Sequence, residues 1–256
     1  MVAVHDNMEE NIVEVNNLNF KFGKNLILSG ISMSISKGDF LGIIGPNGSG
    51  KTTLVKVLLG IYASGSGAVK MFGKDVKSFS DWKKIGYIPQ KATNIDQNFP
   101  ATVREIVSMG LISRKKIPRI MDKKDSQDIM DALKLVGMEK FIDRQIGQLS
   151  GGQQQKVFIA KAMISKPEIL FLDEPTTGVD HESQHIFYDM LNDLNKNHGI
   201  TIVLISHDVG SITQYVNKVA CLNQKLVFHG THKEFCSSDM AHDFLTKENH
   251  YISHSH

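Results

Sequence analysis

Two short stretches of the chain could each hold a phosphate. Residues 45–52 read GPNGSGKT and fit the pattern G-x-x-x-x-G-K-[ST] at every fixed position. The glycines let successive backbone N–H groups turn inward around an anion. Lys51 reaches the terminal phosphates, and the Thr52 hydroxyl is placed to ligate Mg2+. A plain strand-to-helix turn would need neither the lysine nor the threonine. Far downstream, residues 149–156 read LSGGQQQK, with a serine, two adjacent glycines and a polar opening to a helix. That is a second anion-binding turn, and Ser150 also suits the N-cap of the helix that follows. Residues 169–175, ILFLDEP, carry Asp173 to the end of an apolar strand, where it can hold the hydration shell of the cation. Glu174 follows and can orient and deprotonate an attacking water. Alone, the acidic pair would read as a solvated turn; with the Lys51 loop it reads as part of a phosphoryl-transfer site.

These groups need a frame. Residues 12–22 (IVEVNNLNFKF) alternate polar and apolar, a half-buried strand pattern, and residues 26–35 read as a second strand. Residues 39–44 (DFLGII) form a short apolar run into the glycine loop, and a helical pattern covers 52–59. Further strands are read at 68–72 and 84–88. Residues 103–109 read as a helix, and 125–136 carry Ile129, Leu133 and Val136 at helical spacing. Residues 91–150 are therefore expected to be a helical insert. The alternating α/β pattern resumes with strands at 169–172 and 201–205. Between them, 182–197 reads as an amphipathic helix with Ile186, Met190, Leu191 and Leu194 on one side.

Composition narrows the class. The chain has 256 residues, a formal net charge of +2 and 22% charged residues, which argues against binding nucleic acid through bulk charge. Two cysteines, Cys221 and Cys236, form no CxxC pair, so a reducing compartment fits. The N-terminus has no apolar signal core, and no apolar run is long enough to span a bilayer. Work at a membrane would require another chain to supply the channel.

Two phosphate grips on one chain make sense if two copies, related by a two-fold axis, close on the same nucleotide from opposite sides. The ordered set GPNGSGKT, Gln90, LSGGQ, LFLDEP, GVD and SH resembles the ATP-binding subunit of an ABC transporter, over about residues 11–235. The resemblance implies an α/β P-loop nucleotide-hydrolase fold with a mainly parallel core sheet, an N-terminal antiparallel β subdomain and the helical insert at 91–150. Residues 236–256 would add a C-terminal helix and a polar, His-containing tail. It implies ATP and Mg2+ as ligands, bound by Gly45, Pro46, Asn47, Gly48, Ser49, Gly50, Lys51, Thr52 and Thr53. Phe22 matches the aromatic that stacks on adenine, where the family usually has Tyr. Gln90 matches the glutamine that touches Mg2+ or the attacking water, so Thr52, Gln90 and Asp173 are the implied metal contacts. Ser150, Gly151, Gly152 and Gln153 match the turn that meets the opposite subunit's nucleotide. Asp180 matches a loop that contacts that subunit, and as a bare residue reads equally as a helix N-cap. His207 matches the switch histidine near the γ-phosphate, so Glu174, His207 and Lys51 are the implied catalytic groups. Lys156 stands where the family often has Arg, which keeps the charge without the fork.

The resemblance also implies partners: a second copy of the chain, polytopic permease subunits and, indirectly, an extracytoplasmic metal-binding protein. It implies a peripheral place on the cytoplasmic face of the membrane and no role for nucleic acid. The run FPATVREIVSMG and PTTGVD resemble the ATPases of zinc and manganese importers, zinc being favoured. Iron-chelate importers share related patterns, and a soluble ABC ATPase of the iron–sulfur assembly type is the other reading. Chromosome-type ATPases would need a long coiled coil between Lys51 and Ser150, and none is present. His250, His254 and His256 read as a polar tail or a weak metal site, and His229 and His232 as turn residues. Residues 114–124 hold six Lys or Arg, a solvated face or a patch for anionic lipid.

Overall fold

A computed structural model describes residues 10–90, 92, 96, 99–114, 122–177, 179–207 and 209–238. In chain order the elements are β1 (Asn11–Phe22), β2 (Asn25–Ser36), β3 (Phe40–Ile44), α1 (Lys51–Leu58), β4 (Ser66–Met71), β5 (Lys74–Asp75) and β6 (Ile85–Ile88). They continue with α2 (Val103–Ser108), α3 (Lys123–Leu135), α4 (Gly151–Met163), β7 (Ile169–Asp173), α5 (His181–Lys196) and β8 (Thr201–Ile205). The last are α6 (Val209–Ile212), β9 (Lys218–Asn223), β10 (Lys225–Thr231) and α7 (His232–Cys236). An antiparallel sheet has the order β2-β1-β4-β5, and a second sheet the order β10-β9-β3-β8-β7-β6. In the second, β9, β3, β8, β7 and β6 run parallel and β10 closes one edge antiparallel. The mainly parallel core and the antiparallel N-terminal sheet expected from the sequence are both present.

Every residue of β3, β7 and β8 is buried, which is why these strands read as unbroken apolar runs. The two-residue period divides each run between two cores. Leu170, Leu172, Ile202 and Leu204 face a helical layer that includes Val103, Leu133, Val157 and Leu191. Ile169, Phe171, Val203 and Ile205 face the antiparallel sheet and α1, meeting Val13, Leu18, Ile31, Leu54 and Leu58. The phosphate-loop helix is thus held between two sheets.

The helices start where capping residues stand. Thr102, Asp122 and Ser150 each close a reciprocal box with the residue three positions on: Glu105, Asp125 and Gln153. Helix α5 differs from expectation in its buried face. Phe187, Tyr188, Leu191 and Leu194 are buried, and Ile186 is 49% exposed. The rings of Phe187, Tyr188 and Tyr215 pack together and set that rotation. His229 and His232 are not turn residues: His229 lies in β10 and His232 opens α7. Of the C-terminal helix and histidine tail expected at 236–256, residues 239–256 lie outside the described residues, as do residues 115–121 of the basic run at 114–124.

Gly110 shows how tightly the helical layer is joined. A Cβ there would lie 2.1 Å from the Lys161 carbonyl oxygen of α4. Gly110→Ala should therefore destabilise the fold by about 1–3 kcal/mol, read as a lowered urea midpoint at unchanged slope.

Candidate nucleotide-binding site

The glycine loop leaves β3 and enters α1 with no room to spare. A Cβ on Gly45 would sit 2.1 Å from the carbonyl oxygen of Leu222, and one on Gly50 would meet Leu28 at 2.9 Å. Gly48 and Gly50 hold φ of 78° and 101°, which a side chain would strain. Gly50 is the N-cap of α1, so that helix starts without a side-chain cap. A helix start of this kind leaves amide donors for a ligand. The loop is stitched to its surroundings by Gln224 N–H donating to Ser49 O at 2.9 Å. The Lys51 ammonium turns back on the loop and donates to the carbonyls of Gly45 and Pro46 at 2.7 and 3.0 Å. The Ser49 hydroxyl is buried with no partner among the described residues.

A second group meets this loop from β7 and its neighbours. The Thr52 hydroxyl donates to Asp173 Oδ1 at 2.9 Å. Glu174, just past the strand, holds φ 47°, a left-handed conformation uncommon for a residue with a side chain. Its N–H donates to Ile205 O, and its Oε2 accepts from Gln90 Nε2 at 2.7 Å. His207 Nδ1 stands 3.6 Å from the same oxygen. Gln155, buried in α4, donates to the carbonyl of Pro175 and so supports the turn after Glu174. That support was not legible beforehand, since one glutamine among three in QQQK carries no distinguishing mark.

Phe22 stands 48% exposed, edge-on to Phe20 and Tyr62 at 4.9 and 5.2 Å. Its half-open ring could receive a flat base, and Tyr62 is a member of the cluster that sequence reasoning missed. Ser150 N–H donates to Gln153 Oε1 at 3.0 Å, while Gly151 and Ser150 are exposed. Asp180 is the N-cap of α5 and accepts from Ser183 N–H at 2.9 Å. A Cβ on Gly152 would touch the Ser183 side chain at 3.6 Å, so these two motifs are neighbours. The predicted residues thus fall into two groups. One holds Lys51, Thr52, Gln90, Asp173, Glu174 and His207. The other holds Ser150, Gly151, Gly152, Gln153 and Asp180, and no hydrogen bond or ion pair among the described residues links it to the first. Asn47 and Pro46 are exposed on the loop, and Thr53 follows on α1.

The family model described as ABC transporter matches residues 28–177. The chain belongs to the ABC transporter family. It is 44% identical over 224 residues to the zinc uptake system ATP-binding protein ZurA of Listeria monocytogenes, covering 88% of this chain and 87% of that protein. It is 38% identical over 219 residues to the manganese transport system ATP-binding protein MntB of Halalkalibacterium halodurans, covering 86% of each. The dimeric structure of a bacterial ABC transporter cassette superposes with a TM-score of 0.72 at 26% identity, over 86% of this chain and 98% of that one.

In this ABC ATPase the buried charges sit at a cost. Burial pushes the Asp173 carboxyl above its ordinary range, and repulsion from Glu174 adds to it, against the Thr52 hydrogen bond and the lysines. Burial also holds Lys51 below the ordinary lysine value, opposed by Glu174 and Asp173. A carboxyl raised in the folded state costs stability once it is charged, above that raised pKa, and the cost is gone below the ordinary value of 3.8. Asp173→Asn keeps an acceptor for Thr52 and removes the charge. The variant should melt higher than the wild type at neutral pH, with the gap closing as pH falls through the Asp173 pKa. ATP turnover should be lost in the same variant; equal melting of the two proteins at neutral pH would remove the buried charge as the cause.

Proposed function

We propose that this chain is the ATP-hydrolysing motor of a metal-ion importer with zinc as its cargo. The hydrolytic part is carried by one observation: Glu174 is held at 2.7 Å by Gln90, next to a strand end whose Asp173 is bonded to Thr52 of the lysine loop. In this reading the phosphates enter the glycine loop and displace the two carbonyls from Lys51, and the Ser49 hydroxyl gains a partner. Phe22 stacks on adenine. The oxygen donors of Thr52, Asp173 and Gln90 are a hard set that suits Mg2+, which would offset phosphate charge when bound. Glu174 takes a proton from water as the oxygen attacks the γ-phosphorus, and the bond to the ADP oxygen breaks. Lys51 and His207 offset the charge on the γ-phosphate oxygens.

The exposed Ser150–Gly151 turn and Asp180 serve the other copy's nucleotide, so a two-fold dimer closes on two ATP molecules and reopens after hydrolysis. The likeness to a dimeric cassette supports this arrangement. Closure acts on polytopic permease subunits at the cytoplasmic face, reached through the helical layer and the segment around residues 91–112. No helix of the described residues is long and apolar enough to cross a membrane. In this reading the motor is peripheral and is served by separate permeases and, indirectly, by an extracytoplasmic metal-binding protein. The likeness to ZurA supports zinc, and the likeness to MntB supports manganese as the second reading.

Two measurements test this. Glu174→Gln should bind ATP, accumulate as a closed dimer on a sizing column and turn over at least about a hundredfold more slowly; turnover near the wild-type rate would remove Glu174 as the base. Cells lacking the protein should regain zinc accumulation with the wild-type chain and not with Glu174→Gln. Selective recovery of manganese would change the cargo and keep the mechanism. Unchanged uptake of both would favour a soluble ABC ATPase.

A further inference from the structure

Residues 181–185 read HESQH, the spelling H-E-x-x-H that on a helix sets two imidazoles one turn apart. They open α5, with His181 as its first residue. Both histidines are exposed, and at this spacing their Cβ atoms fall on one face, about 5–6 Å apart. Glu182 is exposed on the open surface, so the pattern does not make the enclosed, water-activating centre of a zinc peptidase. His185 is oriented from behind. Tyr215 packs against the buried Tyr188, ring centroids 5.4 Å apart, and its hydroxyl is hydrogen-bonded to the Asp189 carboxylate. A phenol has one proton to give. With that proton on Asp189, the Tyr215 oxygen meets His185 Nδ1, 3.5 Å away, as an acceptor. His185 then carries its proton on Nδ1 and presents a bare Nε2 lone pair outward. A carboxylate acting through a hydroxyl on one ring nitrogen is the kind of support that prepares the other for a metal. No hydrogen bond or ion pair among the described residues engages the His181 ring. Asp180 accepts from Ser183 N–H, and that bond holds its carboxyl below the ordinary range. With Glu182 it places negative charge around the first turn, which offsets the positive helix end and favours a cation over an anion.

We propose that His181 and His185 form a two-imidazole site at the head of α5 for a borderline divalent cation such as zinc. Imidazole nitrogen suits zinc, copper and nickel, whereas manganese and magnesium prefer oxygen donors. Two nitrogens at about 2.0–2.1 Å from the ion, with water completing the tetrahedron, make an open and reversible site. It is distinct from the oxygen set of Thr52, Asp173 and Gln90, which suits Mg2+. It adjoins Asp180 and, through Ser183, Gly152, so an ion bound there would ride on the surface assigned above to the other copy's nucleotide. The proposal stands on these side chains and does not depend on the importer reading.

The test is equilibrium zinc binding to the full chain, read by competition with a chromogenic chelator. The proteins compared are the wild type, His181→Gln, His185→Gln, the double variant and Tyr215→Phe. The wild type should hold one zinc ion that the double variant does not. Each single histidine variant should weaken binding of that ion at least about tenfold, and Tyr215→Phe, which keeps the ring against Tyr188, by about tenfold. His198→Gln changes an exposed histidine just beyond the other end of α5 and should match the wild type. Without zinc, the histidine variants should melt within the wild-type range, which separates loss of the site from loss of the fold. A large excess of manganese should leave the ion in place. Equal zinc affinity and stoichiometry in the wild type and the double variant would overturn the proposal. So would zinc binding that survives in the double variant and is lost on truncation after Lys247, since the C-terminal histidines would then hold the ion. Displacement of zinc by equimolar manganese or magnesium would overturn the assignment of an imidazole site.

Discussion

The phosphate site depends on a tight passage where the glycine loop meets the backbone of Leu222. There is no space for even one methyl group at Gly45. The end of β9 fills that space, and Gln224, in the turn that follows, ties three parts together. Its N–H donates to Ser49 O, and its carbonyl accepts from Ser29 N–H of β2. The loop that receives phosphate is thus braced by the parallel sheet beneath it and by the antiparallel sheet beside it. Gly50, pressed against Leu28 of the same β2, repeats the brace at the helix end. The N-terminal sheet, which also carries Phe22, therefore fixes the loop's shape as well as offering a surface for the base.

The remaining polar groups follow from that placement. Once α1 begins at Lys51, Thr52 falls opposite the end of β7, and Asp173 is forced to bury a carboxylate there. Glu174 then has to leave the strand in a left-handed turn, held by Ile205 O, Gln90 and the support of Gln155 beneath Pro175. Strain and buried charge concentrate at the same few residues, as expected where geometry is kept for chemistry at the expense of stability.

Much of this was readable from the chain. Strands β3, β7 and β8 are buried on both faces, so their sequences are apolar throughout and stand out without any periodicity. The helix starts at Ser150 and Asp180 were legible because capping uses a side chain three residues from its target. What escaped depended on contacts between distant segments. The buried face of α5 turned on the aromatic packing of Phe187 and Tyr188 with Tyr215 rather than on the spacing of Ile186 and Met190. The tight turn joining β9 to β10 has Gln224 at φ 58° and no glycine to announce it. Tyr62 meets Phe22 only because the chain leaving α1 passes under the end of β1, and the paired motifs at Ser150 and Asp180 became neighbours only in the fold.

One further property follows from how the nucleotide site is filled before any ligand arrives. Lys51 is engaged with two carbonyls, Thr52 with Asp173, and Gln90 with Glu174. Occupation is then an exchange of partners, not the filling of a void. A polyphosphate can engage the loop amides, the Lys51 ammonium and the Ser49 and Thr52 hydroxyls together. The resting loop therefore answers the phosphate chain as a connected set of contacts, not one group at a time.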